Sequence, residues 1–335
     1  MKGLIIGKFY PFHNGHKAMM DFALTKCETL TIIICAEESE LISGETRYDW
    51  IRETYHDSKN VEIIVFNYKD TDYPNTSESD RNVSKIWANI IIENCPKCDC
   101  IITSEDYGDY IAEYTGMIHL LYDKYRSITP ISGTLIRQDL YMNWDFLPDS
   151  VKKYYQIRIV ISGTESTGKS ILAEFLASQF EGSEIIREAG RDLIDNSNDF
   201  SENELYNVLT EHYRRILESK KWLLFIDTDY VITSSYCKYN FNNVLKIPDY
   251  IVELKIDSRF YLDNTNVPFI QDGTRLSENE RNNLDLYHRK EYENRNLEIE
   301  IKSLREKETL VERNERILLD IRRIIKNKFK KSLHM

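Results

Sequence analysis

Short apolar runs alternate with helix-period segments along the whole chain, the pattern restarts near the middle, and each half has a glycine-bearing turn between a strand and a helix. These features predict an α/β protein with two Rossmann-like or P-loop parallel-sheet domains in series. In the first half the expected strands are GLIIG, TLTIIICAE, VEIIVFNY, CIITSE and MIHLLYD. Between them, HKAMMDFALTKC sets Ala18, Met19, Phe22 and Ala23 on one helical face, and DRNVSKIWANIIIEN does so with Val83, Ile86, Trp87 and Ile90. Strands alternating with helices make a parallel sheet covered on both faces, and such sheets bind ligands beyond the carboxyl ends of their strands.

After Trp144, Phe146, Leu147 and Pro148 comes a polar, tyrosine-rich stretch, SVKKYYQ, and then a new series of strands: IRIVISG, SEIIRE, KWLLFIDTD and YIVELKI. The expected domains are residues 1–150 and 151–335, meeting near 148–156, and no self-repeat relates them. From Ser277 to Lys330 the chain is strongly charged with few breakers, as in one long helix or a coiled coil. NLEIEIK nevertheless alternates at Leu297, Ile299 and Ile301, so helix, strand, helix is expected, with the strand last in the second sheet.

At 335 residues, 41% hydrophobic and 30% charged, the chain suits two domains with sizeable cores. A net charge of −11 argues against a general nucleic-acid binder, so no DNA partner is expected. No apolar run is long enough to span a membrane, and the chain opens in a strand without a secretory or transit signal. Six cysteines suggest a reduced, cytoplasmic protein. Cys95, Cys98 and Cys100 in NCPKCDC lack the second ligand pair of a structural zinc site, so a loop into the next strand is expected there. Oligomeric state, a homo-oligomer included, is not readable.

Residues 163–170, GTESTGKS, match G-x-x-x-x-G-K-[ST] after an apolar strand and at the start of the helix SILAEFLASQF. Gly163 and Gly168 let the loop of Thr164, Glu165, Ser166 and Thr167 turn its N–H groups toward phosphate oxygens. Lys169 then reaches the β- and γ-phosphates of ATP or GTP, and Ser170 is placed to ligate Mg²⁺. In FIDTD, Asp227 is the expected second Mg²⁺ ligand and Asp229 a catalytic acid. In IIREAGRD the strand ends at Glu188, placed like the acid that commonly takes the substrate hydroxyl's proton in small-molecule P-loop kinases, and Arg191 three residues on could bind substrate or phosphoryl group; a surface ion pair is the plainer reading of either. In QDGTRLSENER, Arg275 and Arg281 suit a lid over the phosphates, although a solvated helix face equally explains Arg281. Tyr230 and Tyr239 are candidates for base stacking, which is weak evidence in a chain with 22 tyrosines.

GKFYPFHNGH, residues 7–16, sets His13 and His16 where the first strand gives way to a helix. No nearby Cys, Asp or Glu completes a metal site, and no nucleophile elbow completes a triad. Anion binding fits: Gly15 permits a tight turn, so both imidazoles and helix-terminal N–H groups can face one anion. The stretch resembles the G-x-F-x-P-x-H-x-G-H signature of the nucleotidyltransferase superfamily, and ISGTLIR at 131–137 resembles its second signature. That resemblance implies attack of a substrate phosphate on the α-phosphorus of ATP, with release of pyrophosphate and no covalent enzyme intermediate. Ser132, Thr134 and Arg137 would hold the β- and γ-phosphates, and His13, His16 and Lys8 would stabilise phosphate oxygens in a site that includes Gly7, Phe9 and Gly15.

The first signature, ISGTLIR followed by Trp144, Phe146 and Pro148, then GTESTGKS, FIDTD and DGTR fall in one order along nearly the whole chain. In this the chain resembles the bifunctional nicotinamide-mononucleotide (NMN) adenylyltransferase/ribosylnicotinamide kinase family. The resemblance implies a C-terminal domain that phosphorylates nicotinamide riboside and an N-terminal domain that joins NMN to AMP, giving NAD. Arg47 would lie near the mononucleotide phosphate, and DYPN, ending in Asn75, with Trp87 would orient the nicotinamide ring; Trp87 equally suits the core. The repressor helix-turn-helix carried by some members is not found ahead of the first strand, which puts DNA binding in doubt. A nucleotide sensor with weak turnover, or transfer to another phosphorylated acceptor such as a pantetheine or ribitol derivative, are the competing readings.

Overall fold

The structure is a computed structural model that describes residues 1–73, 80–194, 200–268 and 277–333. The chain forms two compact units, whose bodies are Met1–Tyr155 and Gln156–Phe329.

In the first unit five strands form one parallel sheet: β1 (Lys2–Gly7), β2 (Thr29–Glu37), β3 (Val61–Tyr68), β4 (Cys100–Thr103) and β5 (Ile118–Leu121), in the order β3-β2-β1-β4-β5. Leu4, Ile5, Ile32, Ile34, Ile101 and Ile102 are fully buried, as central strands covered by helices on both faces require. Strand order reverses between β1 and β4, so the GKFYPFHNGH turn opens at the crevice where such sheets hold ligands. Helix Arg81–Asn94 lays Trp87, Ala88, Ile90 and Ile91 on the sheet, and Asp80 caps it by accepting from the N–H groups of Asn82 and Val83, both at 2.8 Å.

The division falls after Tyr155, a few residues beyond the expected 150/151 boundary. SVKKYYQ is no linker: Asp149–Tyr155 is a helix that buries Val151 and Tyr155. Ser150 donates to the Trp50 carbonyl at 2.9 Å, and the Trp50 and Tyr155 rings lie 6.0 Å apart, so this helix closes the first core.

The second unit repeats the plan with β6 (Ile157–Gly163), β7 (Glu184–Ile186), β8 (Leu223–Asp227), β9 (Ser258–Leu262) and β10 (Glu300–Ile301), ordered β10-β9-β6-β8-β7, all parallel. The fourth strand is not YIVELKI. Pro248 starts a single helical turn there, Asp249–Val252, and SRFYL pairs with β6 instead, Ile161 opposite Phe260. Both stretches are apolar enough for a strand; the one that can bury Phe260, Tyr261 and Leu262 beside β6 takes the place. The charged C-terminal region is helix Glu278–Asn294, edge strand β10 and helix Leu310–Leu333, with Ser277 and Glu280 forming a reciprocal capping box.

Cys98 and Cys100 are buried, and Cys100 lies sulfur to sulfur with Cys27 at 3.4 Å. Burial pushes the Cys95 thiol up to about 11 and, with Cys27 beside it, the Cys100 thiol up to about 12. No group of three or more possible metal-binding side chains occurs among the described residues, and no described helix is long and apolar enough to cross a membrane.

Candidate active sites

A cavity of about 620 Å³ opens beyond β1 in the first unit, lined by Gly7, Lys8, Phe9, His13, Gly15, His16, Trp87, Ser132, Thr134 and Arg137. His13 caps helix Asn14–Lys26 through Nδ1, which accepts the His16 N–H at 3.3 Å. The two imidazoles stack with centroids 3.6 Å apart, and the Phe9 ring meets His16 edge-on at 5.0 Å. An alanine Cβ at Gly15 would come within 3.0 Å of the His13 ring, so the glycine lets that ring fold over the helix start.

Burial, and after it the Arg126 guanidinium, lowers His13 to about 3; burial, His13 and Arg126 hold His16 well below its ordinary value. Both rings are therefore neutral near pH 7. His13 uses its Nδ1 lone pair in the cap, so its proton sits on Nε2, available to a phosphate oxygen as a donor.

The far wall is the helix Gly133–Gln138, capped by Ser132, whose hydroxyl accepts from Leu135 N–H at 3.2 Å. Arg137 donates to the Tyr10 carbonyl at 2.5 Å and to the Thr134 hydroxyl at 3.2 Å, so the second signature is tied to the first. Lys8 reaches Glu40 at 2.9 Å.

Arg47 does not line this cavity. It is fully buried, its guanidinium ion-paired with Glu40 at 2.5 Å and donating to the carbonyls of Lys8, Cys35 and Ile42. Those bonds tie it to the Lys8 loop, β2 and the segment before its own helix. Trp87 belongs to the core, its ring packing edge-on against Tyr68 at 5.2 Å, and it also forms part of the cavity wall. Asn75 lies outside the described residues.

In the second unit, GTESTGKS joins β6 to helix Lys169–Gln179 beside the order reversal between β9 and β8. Gly163 has φ 136°, and a Cβ there would sit 2.4 Å from the Leu262 carbonyl oxygen, so only glycine fits between β6 and β9. Lys169 Nζ donates to the carbonyls of Gly163 and Thr164, both at 2.9 Å, curling the loop around its own amine. Thr167 Oγ1 braces the loop by donating to the Thr164 carbonyl at 2.8 Å.

The two aspartates of FIDTD separate. Asp227 ends β8 with Oδ1 buried and unpartnered. Asp229, expected to be catalytic, is a structural hub instead: it caps the helix Tyr230–Phe241, accepts from Tyr292 at 2.8 Å and pairs with Arg259 at 3.1 Å. Both of its carboxylate oxygens are thus already engaged by the fold. Glu188 lies just past β7, and its charge, like that of Glu165, acts on the Tyr236 phenol. Arg281 is buried, so the solvated-face reading fails for it. Tyr230 is buried beneath Arg295, and Tyr239 sits against the Tyr287 ring. Arg275 and the Arg191 side chain lie outside the described residues.

Several cavity and loop residues carried no local signal in the sequence. Arg126 lines the first cavity from a turn that Asp123 gathers by accepting from Ser127, Ile128 and Thr129 N–H groups. Behind the second loop, fully buried Arg313 donates to the Thr167 carbonyl at 2.9 Å from 146 residues away. The aspartate followed by a Ser-x-Thr in DKYRSIT was the one available cue to the Arg126 turn.

Comparison with known proteins agrees with this architecture. A family model described as the citrate lyase ligase C-terminal domain matches residues 2–72, and one described as an AAA domain matches residues 158–309. The chain is 30% identical over 301 residues to the trifunctional NAD biosynthesis/regulator protein NadR of Escherichia coli K12, covering 82% of this chain and 71% of that protein. A nicotinamide-nucleotide adenylyltransferase from Thermococcus kodakarensis is 21% identical over 194 residues, covering 53% of this chain and 98% of that one. A crystal structure of a NadR protein in complex with NR superposes with a TM-score of 0.62 at 17% identity, covering 97% of this chain and 96% of the other, so the two share a fold. The chain belongs to the NadR family.

Proposed function

We propose that this protein is a bifunctional enzyme of NAD salvage: Gln156–Phe329 phosphorylates nicotinamide riboside with ATP, and Met1–Tyr155 adenylylates the resulting NMN with a second ATP. The observation that carries this reading is that each unit presents its own phosphate-binding turn at the strand-order switch of its own sheet.

In the first unit, the NMN phosphate attacks the α-phosphorus of ATP in line and pyrophosphate leaves. The chain's part is positioning and charge neutralisation. His13 Nε2–H and the neutral His16 ring contact the α- and β-phosphate oxygens, donating without having to be charged. Arg126, Arg137 and Lys8 supply the cationic charge, while Ser132 and Thr134 reach the β- and γ-phosphates. Trp87 gives the pyridinium ring an aromatic wall.

In the second unit, the loop N–H groups from Thr164 to Gly168 cradle the ATP phosphates, Lys169 turns from its carbonyls to the β- and γ-oxygens, and Glu188 takes the proton of the riboside hydroxyl. The unpartnered Asp227 Oδ1 and the Ser170 hydroxyl offer the oxygen donors that suit Mg²⁺, an ion that needs few protein ligands when phosphates supply the rest. When bound, Mg²⁺ neutralises charge on the transferring phosphates.

Purified protein supplied with ATP, Mg²⁺ and nicotinamide riboside should form NAD and pyrophosphate. Lys169→Ala should abolish riboside phosphorylation and leave adenylylation of supplied NMN intact, and His16→Ala should do the reverse. Loss of both activities from either substitution in a folded protein would refute the two-site assignment.

A further inference from the structure

His288 lies on the helix Glu278–Asn294 and is fully buried. Its Nδ1 is hydrogen-bonded to Ser235 Oγ on the helix Tyr230–Phe241. Ser235 has a single hydroxyl proton, and the hydroxyl donates it to the Ile232 carbonyl at 2.7 Å. Toward His288 that oxygen can only accept, so the imidazole proton is on Nδ1. Burial, and behind it the Lys169 ammonium, lowers His288 to about 3, which keeps the ring neutral. Nε2 is therefore a bare lone pair, buried and without a partner.

The surroundings say what would fill it. The Tyr236 ring lies 5.4 Å from the imidazole, and burial followed by the carboxylates of Glu165 and Glu188 pushes the Tyr236 phenol up. The helices Tyr230–Phe241 and Glu278–Asn294 thus bring Tyr236 and His288 together where the charge of the P-loop lysine is felt. A neutral acceptor atom under the influence of the Lys169 ammonium suits an uncharged hydrogen-bond donor such as a hydroxyl or an amide N–H, which the phosphates of ATP lack. A buried acceptor without a donor is costly to the fold, and a donor arriving with a bound molecule would satisfy it.

We propose that His288 Nε2 accepts a hydrogen bond from a non-reacting hydroxyl or the carboxamide of the phosphoryl acceptor, with Ser235 fixing the tautomer that makes this possible. The inference rests on reading Gln156–Phe329 as a nicotinamide riboside kinase. It assigns His288 as an acceptor-binding residue, separate from Lys169 and Glu188.

The test is steady-state phosphorylation by His288→Leu and His288→Gln in the full chain, with adenylylation of supplied NMN and the melting temperature as folding controls. His288→Leu should lower kcat/KM for the riboside about tenfold, mainly through KM, with the KM for ATP unchanged. His288→Gln, which places an amide oxygen near the Nε2 position, should recover most of the loss; a merely structural histidine would show no such split. Comparing nicotinic acid riboside with 2′-deoxy nicotinamide riboside identifies the donor, because His288→Leu should erase the discrimination against whichever analogue lacks it. An unchanged riboside KM, or a loss that falls on ATP, overturns the assignment while the kinase reading stands. Wild-type protein inert toward the riboside overturns both.

Discussion

Asp227 and Asp229 lie two residues apart in FIDTD, and the structure gives them opposite tasks that substitution separates. Asp229→Ala removes the partner of Arg259 at 3.1 Å, the acceptor for Tyr292 at 2.8 Å and the cap that receives Val231 N–H at 3.1 Å. Removing one partner of a buried ion pair costs roughly 3–5 kcal/mol, and because Arg259 retains some access to solvent the lower end applies. Loss of the helix cap adds about 1 kcal/mol, for a total near 4 kcal/mol. In a unit of this size each kcal/mol moves the melting temperature by about 2–4 °C, so its transition should fall by roughly 8–16 °C. Asp227→Asn removes a charge whose Oδ1 has no partner, so it should melt at or above wild type yet lose riboside phosphorylation. Calorimetric melting of both variants, with phosphorylation assayed well below the transitions, decides the matter. If Asp229→Ala melts within about 2 °C of wild type and is inactive, or if Asp227→Asn melts as low as expected for Asp229→Ala, the partition argued here is wrong.

Two more outcomes follow from the first unit. His13 titrates at about 3 when folded against 6.5 when free, so its neutral form stabilises the fold fully above pH 6.5, and that contribution is lost as pH falls toward 3. Urea unfolding should therefore show the unit about 2 kcal/mol weaker at pH 5 than at pH 7 from this residue alone, and His13→Asn should shrink the measured difference by about that amount, leaving the share of His16. A Cβ on Gly133 would stand 2.8 Å from the Tyr10 carbonyl oxygen and 3.1 Å from Arg137 Nη1. Gly133→Ala should thus push the Gly133–Gln138 helix off the first signature at a cost of about 1–3 kcal/mol, raising the KM for ATP in adenylylation.

Both phosphate-binding turns were legible because their chemistry is local. In GKFYPFHNGH and GTESTGKS the glycines, the binding side chains and the helix start occupy consecutive positions, so spacing alone implies strand, turn and helix. Nine of the ten strands overlap the apolar runs that announce them, and the exception is instructive. YIVELKI and SRFYL are about equally suited to a strand, and only the vacancy beside β6 selects the second.

The chain's own sequence thus determined the α/β plan, the two turns and their place at the carboxyl ends of β1 and β6, since each follows from periodicity and short-range spacing. Tertiary structure alone decided which side chains are spent on the fold and which remain open. Arg47 and Asp229 look functional in sequence, yet neighbouring charges and carbonyls consume them. Arg126 and Arg313 look ordinary, yet folding brings the first to the cavity wall beside the histidines and the second, from 146 residues away, to the Thr167 carbonyl. A side chain's availability depends on partners that pattern and spacing do not reveal, and only the packed chain supplies them.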